Sequence, residues 1–355
     1  MPRSHFPALA LLALWPAAAA AQPPAPTHKI EATDRQSVTA TVTYEVRTTA
    51  FAATRWTAFL PEPPELPSQV RVKTTADPGG KVVAEKSPLA RKVRMIDLAV
   101  AAPAPGGNLT LRLDVRATLR SRRLVPLAAG EKPPAVAALA AKEKAFYLAP
   151  SGQIDFAAKP FGEWLDAKQL RKGKDETPVA FAGRVLEVMR ASFEYKYDAT
   201  ENKRASAACG RAATDCGGMT FVFVGALRAN DIPARVLVGR LAEPRKPGSR
   251  PADLEYDRPH VRAELYVAGV GWVPVDPAYA VAGRNRPAAA FVGDDPGDLL
   301  VLHVDLDLRL PYPDRERTAE VLQLGTNVWA AGRGAFDGTA GPSGWELTAT
   351  PVGPK

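Results

Sequence analysis

The chain has 355 residues, 46% of them hydrophobic, and a formal net charge of +8 at pH 7. Such a balance favours adhesion to anionic surfaces but carries no information about fold. The densest basic group, Arg116, Arg120, Arg122 and Arg123, has no nucleic-acid motif beside it, so it reads as a solvated face and not as a nucleic-acid site.

Residues 1–21 combine Arg3 and His5, an apolar stretch over 6–15 and a small-residue end, Ala19-Ala20-Ala21. This is the pattern of a secretory signal peptide, and it predicts a periplasmic or secreted protein. No later segment offers about 20 uninterrupted apolar residues, so no transmembrane segment is expected after cleavage. Residues 22–27 form a Pro/Ala linker.

From residue 28 the pattern has period two. Val38, Ala40, Val42, Tyr44 and Val46 alternate with polar residues, as do Leu109, Leu111, Leu113, Val115, Ala117 and Leu119. Alternation of this kind predicts half-buried strands. Shorter strands are expected around 70–72, 82–84 and 93–100, with turns at 77–80 and 103–107. Residues 28–125 therefore read as an N-terminal β-sandwich. It holds no titratable cluster, so a chain starting near Gly130 is expected to keep its thiol reactivity.

Residues 126–355 read as a second, α+β unit. The alanine-rich stretch 133–146 predicts a helix. Thr177 followed by Pro178 marks the start of another, continued by Phe181, Val185, Val188 and Met189. A third, apolar helix runs from Cys216 to about Ala229. Strands are expected over 234–241, 260–267, 271–275, 299–310 and 345–350, with a polar, Pro-rich loop over 243–259.

Cysteine is scarce, and one of the two cysteines, Cys216, falls in the first turn of that apolar helix, capped by Asp215 or Thr214. Unpaired N–H groups and the positive dipole end stabilise a thiolate there. Gly217 and Gly218 would let a substrate carbonyl approach the backbone closely. The rival reading is a Cys209–Cys216 disulfide, natural in an oxidising compartment. A thiol nucleophile needs a base, and His260 opens a strand whose residues 260, 262, 264 and 266 share one face. If the following hairpin is symmetric about Ala268, Asp276 sits directly opposite His260. A two-residue Ala268-Gly269 turn would misplace it unless a bulge corrects the register. His303, in a strand of alternating Leu and Val, reads as structural. The remaining histidines and cysteines show no metal-ligand spacing, and no cofactor or metal is expected.

Three blocks carry a resemblance: Asp215-Cys216 leading to residues 223–228 and 232–235, His260-x-x-x-Glu264-Leu-Tyr266, and Trp272-Val-Pro-Val-Asp276-Pro277. They resemble the transglutaminase-like superfamily of papain-like thiol enzymes, and the similarity extends over about residues 145–280. The resemblance implies Cys216 as nucleophile, His260 as base and Asp276 as the group that orients it. Thr214 stands where a glycine is frequent, and Arg262 where a tryptophan is frequent. Gly217, Gly218, Arg262 and Trp272 are expected at the substrate groove, Trp272 also reading as packing beside the triad. The implied activity is acyl transfer on a protein or peptide substrate, with hydrolysis as the first reading. Cross-linking by a transglutaminase is the second, and a non-catalytic cell-envelope binding protein with an oxidised Cys209–Cys216 pair the third.

Overall fold

The computed structural model describes residues 26–198, 200–242, 259–322 and 327–352; the expected signal peptide and nearly all of the polar loop lie outside them. Six strands come first: β1 (His28–Arg47), β2 (Ala52–Pro61), β3 (Gln69–Asp77), β4 (Lys81–Ala84), β5 (Lys92–Ala99) and β6 (Leu109–Pro126). A mixed region follows with α1 (Ala141–Leu148), α2 (Lys159–Ala167), α3 (Pro178–Ser192), β7 (Glu194–Tyr195), α4 (Ala205–Ala208), β8 (Ala213–Thr214) and α5 (Cys216–Arg228). Then come β9 (Ala234–Leu241), β10 (Pro259–Val267), β11 (Gly271–Val275), α6 (Pro277–Ala282), β12 (Asp294–Asp295) and β13 (Leu299–Val304). The chain ends with β14 (Leu308–Pro311), β15 (Glu316–Ala319), β16 (Asn327–Arg333) and β17 (Thr339–Pro351). Among the described residues no helix is long and apolar enough to cross a membrane.

The alternating strands do form a sandwich. One sheet has the order β12-β6-β1-β17, with β3 also on β6; the other has the order β16-β2-β5-β4. Val38, Ala40, Val42, Tyr44 and Val46 from β1 face Trp56, Ala58, Leu60 and Ile96 from the second sheet in one buried cluster. Each fully buried Val, Leu or Ile among them contributes roughly 1.5–3 kcal/mol of burial. The sandwich is not made of residues 28–125 alone. β17, which contains the expected strand 345–350, lies along β1, and β16 lies along β2.

The second region is built on a sheet of order β11-β10-β9-β13. α5 packs on it and is buried on every side, which explains its unbroken apolar sequence. The Thr177 hydroxyl accepts the Ala180 N–H at 3.2 Å to start α3, with Pro178 at the first helical position. The helix expected over 133–146 forms only from Ala141. Pro133 and Pro134 remove two backbone donors, and a proline also disfavours helical backbone in the residue before it. The segment before it is instead tied to the β10–β11 hairpin, with the Ala137 carbonyl accepting from Tyr266 Oη at 2.7 Å.

The two regions are fused. β12 pairs with the end of β6, and Ala242, Leu300 and Leu302 belong to the sandwich core.

Candidate active site

The site starts at the N-terminus of α5. Asp215 caps it: its Oδ1 accepts the N–H groups of Gly217 at 2.9 Å and Gly218 at 3.1 Å. Its Oδ2 is held by the Lys203 ammonium. This cap turns the chain so that Cys216 enters as the first helical residue, buried with only 4% of it exposed.

The hairpin that brings the other two groups has a register of its own. β10 and β11 are joined by three residues, 268–270, with Val267 opposite Gly271 and Ala263 opposite Val275. Gly269 and Gly271 both take positive φ, at 77° and 96°, where other residues are strained. Neither alternative drawn from the sequence occurs. The pairing is displaced two residues from the symmetric case, so Asp276 keeps its face but comes opposite Arg262. His260 reaches it diagonally.

That geometry still joins the three expected residues. His260 Nε2 lies 2.8 Å from Asp276 Oδ2. Asp276 is the N-cap of α6, and its Oδ1 accepts the Tyr279 N–H at 3.0 Å. The Cys216 sulfur lies beside the same imidazole and acts on its charge. The Tyr279 ring lies 5.1 Å from the imidazole, centroid to centroid.

Burial works against a charged imidazole, yet Asp276 and the Cys216 sulfur outweigh it and lift His260 to about 9. Burial likewise opposes the Asp276 carboxylate, but His260, Arg262 and the Tyr279 N–H hold it well below the usual carboxylate range. An ionised Asp276 can only accept, so His260 carries its proton on Nε2.

The other expected residues land elsewhere. Arg262 is not in a groove. It is buried, and its Nε donates to Asp276 Oδ2 at 2.8 Å, Nη1 to Asp295 at 3.1 Å and Nη2 to Asp298 at 2.6 Å. Gly217 and Gly218 are buried too. A Cβ at Gly218 would stand 2.1 Å from Thr214 Oγ1, so this glycine makes room for Thr214 and not for substrate. Trp272 sits at the far end of the hairpin from Asp276, half-buried against Tyr147 and Tyr266, with the Arg235 guanidinium 4.0 Å over its ring. This is packing.

Cys209 and Cys216 are both free thiols. Burial, and then the Asp155 charge, push Cys209 up to about 11. His303 bridges Asp305 O at 2.9 Å and the Leu322 N–H at 3.0 Å, and burial followed by the Arg91 charge lowers it to about 3. It is a neutral structural tie.

Arg122 was misplaced by its sequence. It belongs to no basic face: it is fully buried, with Nη1 2.6 Å from Glu264 and Nη2 2.9 Å from Asp295. Asp295 and Asp298 join the cluster as further partners of Arg262. Their only signal was the acidic turn Asp294-Asp295-Pro296-Gly297-Asp298 in an otherwise apolar stretch.

Residues 166–277 match the family model described as the transglutaminase-like superfamily. A search of curated proteins finds no match. Among solved structures, a protein from Cytophaga hutchinsonii described as a candidate cysteine protease has the same fold. It aligns with a TM-score of 0.56 at 12% identity, covering 92% of this chain and 94% of that one. The periplasmic domain of TgpA from Pseudomonas aeruginosa aligns at 14% identity over 68% of this chain and 88% of that one, with a TM-score of 0.34. The matched segment holds the capped helix, the hairpin and all three residues of the cluster: residues 166–277 of this chain are a transglutaminase-like domain.

Proposed function

We propose that the chain is an exported thiol enzyme that hydrolyses peptide or amide bonds of protein or peptide substrates through Cys216, His260 and Asp276. One observation carries the reading. A buried thiol at a helix start capped by Asp215 lies beside an imidazole whose Nε2 is held by a buried carboxylate. That is the arrangement of an activated nucleophile, its base and the group that fixes the base. Export rests on the signal-peptide pattern of residues 1–21.

The steps follow from these groups. The Cys216 sulfur, its proton on His260, attacks the substrate carbonyl carbon. The oxyanion is met by the Cys216 N–H, since the Asp215 cap already occupies the next two. The C–N bond breaks as the imidazolium gives its proton to the departing amine, leaving a thioester. Neutral His260 then takes a proton from water. The hydroxide adds to the thioester, the C–S bond breaks, and the carboxylic acid leaves with the thiol restored.

Water is the default acceptor, and no amine-binding feature marks the described residues. The reading with an oxidised Cys209–Cys216 pair has less support, because both thiols are free and Cys209 hydrogen-bonds the Ser206 carbonyl.

Limiting iodoacetamide at neutral pH, followed by peptide mapping, tests the nucleophile. The adduct is expected on Cys216, and preferential labelling of Cys209 overturns the assignment. Supplying a primary amine with a labelled peptide amide separates the acceptors: free acid supports hydrolysis, and an amine conjugate supports cross-linking.

A further inference from the structure

A line of buried ion pairs runs from the sandwich to the imidazole. Arg122 on β6 holds Asp295; Asp295 holds Arg262; Arg262 holds Asp276; Asp276 holds His260. The side chains of all five are at most 5% exposed. A single oxygen, Asp276 Oδ2, accepts from both His260 Nε2 and Arg262 Nε, each at 2.8 Å.

We propose that Arg262 is a positioning residue that fixes Asp276 and limits how tightly this carboxylate retains the His260 proton, and that the N-terminal sheet supplies its anchor through Arg122. The inference rests on the triad reading above. Burying four or more charges is costly unless each has a partner in good geometry. A planar guanidinium spreads its donors over three nitrogens and here serves three separate carboxylates, which the single N–H of the frequent tryptophan cannot. The consequence is chemical. The same imidazole must hold a proton for the leaving amine and then surrender it to act as base toward water. Asp276 alone favours the first role, and the Arg262 cation sharing its oxygen weakens that pull.

Several groups among the described residues face His260. Cys216 lies on α5 with the Asp215–Lys203 pair beside it, Asp276 and Tyr279 on α6, and Arg262 on β10; β9 presents Gly239 opposite. Replacing Arg262 by a neutral side chain removes the cation of this set that opposes the imidazolium through Asp276. The sign is therefore upward.

The test is the His260 titration midpoint, read by NMR on the full mature chain labelled with 15N-histidine. Asp276→Asn serves as the control and is expected to lower the midpoint. Arg262→Gln is expected to raise it by about one unit. Thioester hydrolysis, followed with p-nitrophenyl acetate near neutral pH, then slows about tenfold, because that much less imidazole is neutral. Asp298→Asn removes the third carboxylate on Arg262, a branch of the line that is 13% exposed. It should move the midpoint down by a few tenths of a unit.

A midpoint that stays put or falls in Arg262→Gln, while Asp276→Asn lowers it, overturns the role of Arg262 and leaves the triad standing. No movement in Asp276→Asn overturns the triad itself. Should Arg262→Gln fail to fold, Asp298→Asn decides: an unmoved or rising midpoint sinks the proposal.

Discussion

β6 carries two arginine ion pairs ten residues apart, and they have opposite meanings. At its start, Arg112 reaches Asp114 with 56% of its side chain exposed. Near its end, Arg122 is 0% exposed and holds Glu264 and Asp295 from the second region. Both residues belong to the even, outward-facing series of the strand. Water covers that face at one end, and the transglutaminase-like domain covers it at the other. The residue type is the same; the solvent decides the chemistry. An exposed pair is screened and nearly free to break, whereas a buried one leaves an uncompensated charge when cut.

The largest effect belongs to the far end of the buried line. Asp276→Asn keeps a side chain of the same shape and can still accept from the Tyr279 N–H. It no longer fixes the imidazole tautomer. Turnover is expected to drop by about 10²–10⁴-fold with the fold retained, as judged by circular dichroism. Full activity in the folded variant would remove Asp276 from the mechanism.

Arg122→Met comes next. It takes one cation from each of the buried carboxylates Glu264 and Asp295, which keep only Arg235 and Arg262, and is expected to lower stability by about 3–5 kcal/mol in urea unfolding. A chain starting near Gly130 loses Arg122, β1 and β2, hence the partners of β12, β16 and β17. The separable sandwich expected from the sequence therefore gives way to the opposite expectation: such a chain should not form a reactive Cys216. Normal iodoacetamide labelling of that fragment would break the comparison drawn on β6.

The pH dependence follows from His260. Its folded value, about 9, lies above the ordinary imidazole value of roughly 6.5. The raised value means that its contribution to stability is complete below about 6.5 and is lost as pH rises through about 9. Amide turnover should fall over the same alkaline limb, since the leaving amine loses its acid. Iodoacetamide labelling, which needs no general acid, should not fall with it. A parallel decline of both would argue against the acid role.

These effects mark what the sequence could tell. The core strands were legible because Val38 to Val46 and Leu109 to Leu119 have one dry and one wet face, and period two records that. The helix start at Cys216 was legible from a cap residue followed by an unbroken apolar run. Arg122 was not, because periodicity reports which face a residue is on and not what later covers it. The role of Arg262 was hidden by register: three connecting residues instead of one or two placed it opposite Asp276. Thr214 was noticed as a departure from a frequent glycine, but its partner was not. Gly218→Ala should cost about 1–3 kcal/mol, as overpacking does, with Thr214→Ala recovering most of it. Additive losses in the double variant would mean the two positions do not share that space.

The smallest effect is the sharpest control. Arg112 donates to Asp114 from its own strand, and Thr41 Oγ1 donates to the same carboxylate at 2.5 Å, so the acid keeps a partner when the arginine is removed. The guanidinium and carboxylate remain in water in both folded and unfolded chains, and salt screens what attraction is left. Arg112→Ala is therefore expected to leave the thermal midpoint and the Cys216 labelling rate unchanged within error, at low and at high salt. Arg122→Ala on the same strand, measured alongside, should lower both. A large loss in Arg112→Ala would show that β6 responds to its arginines through strand packing and net charge, and the contrast between its wet and dry ends would fail.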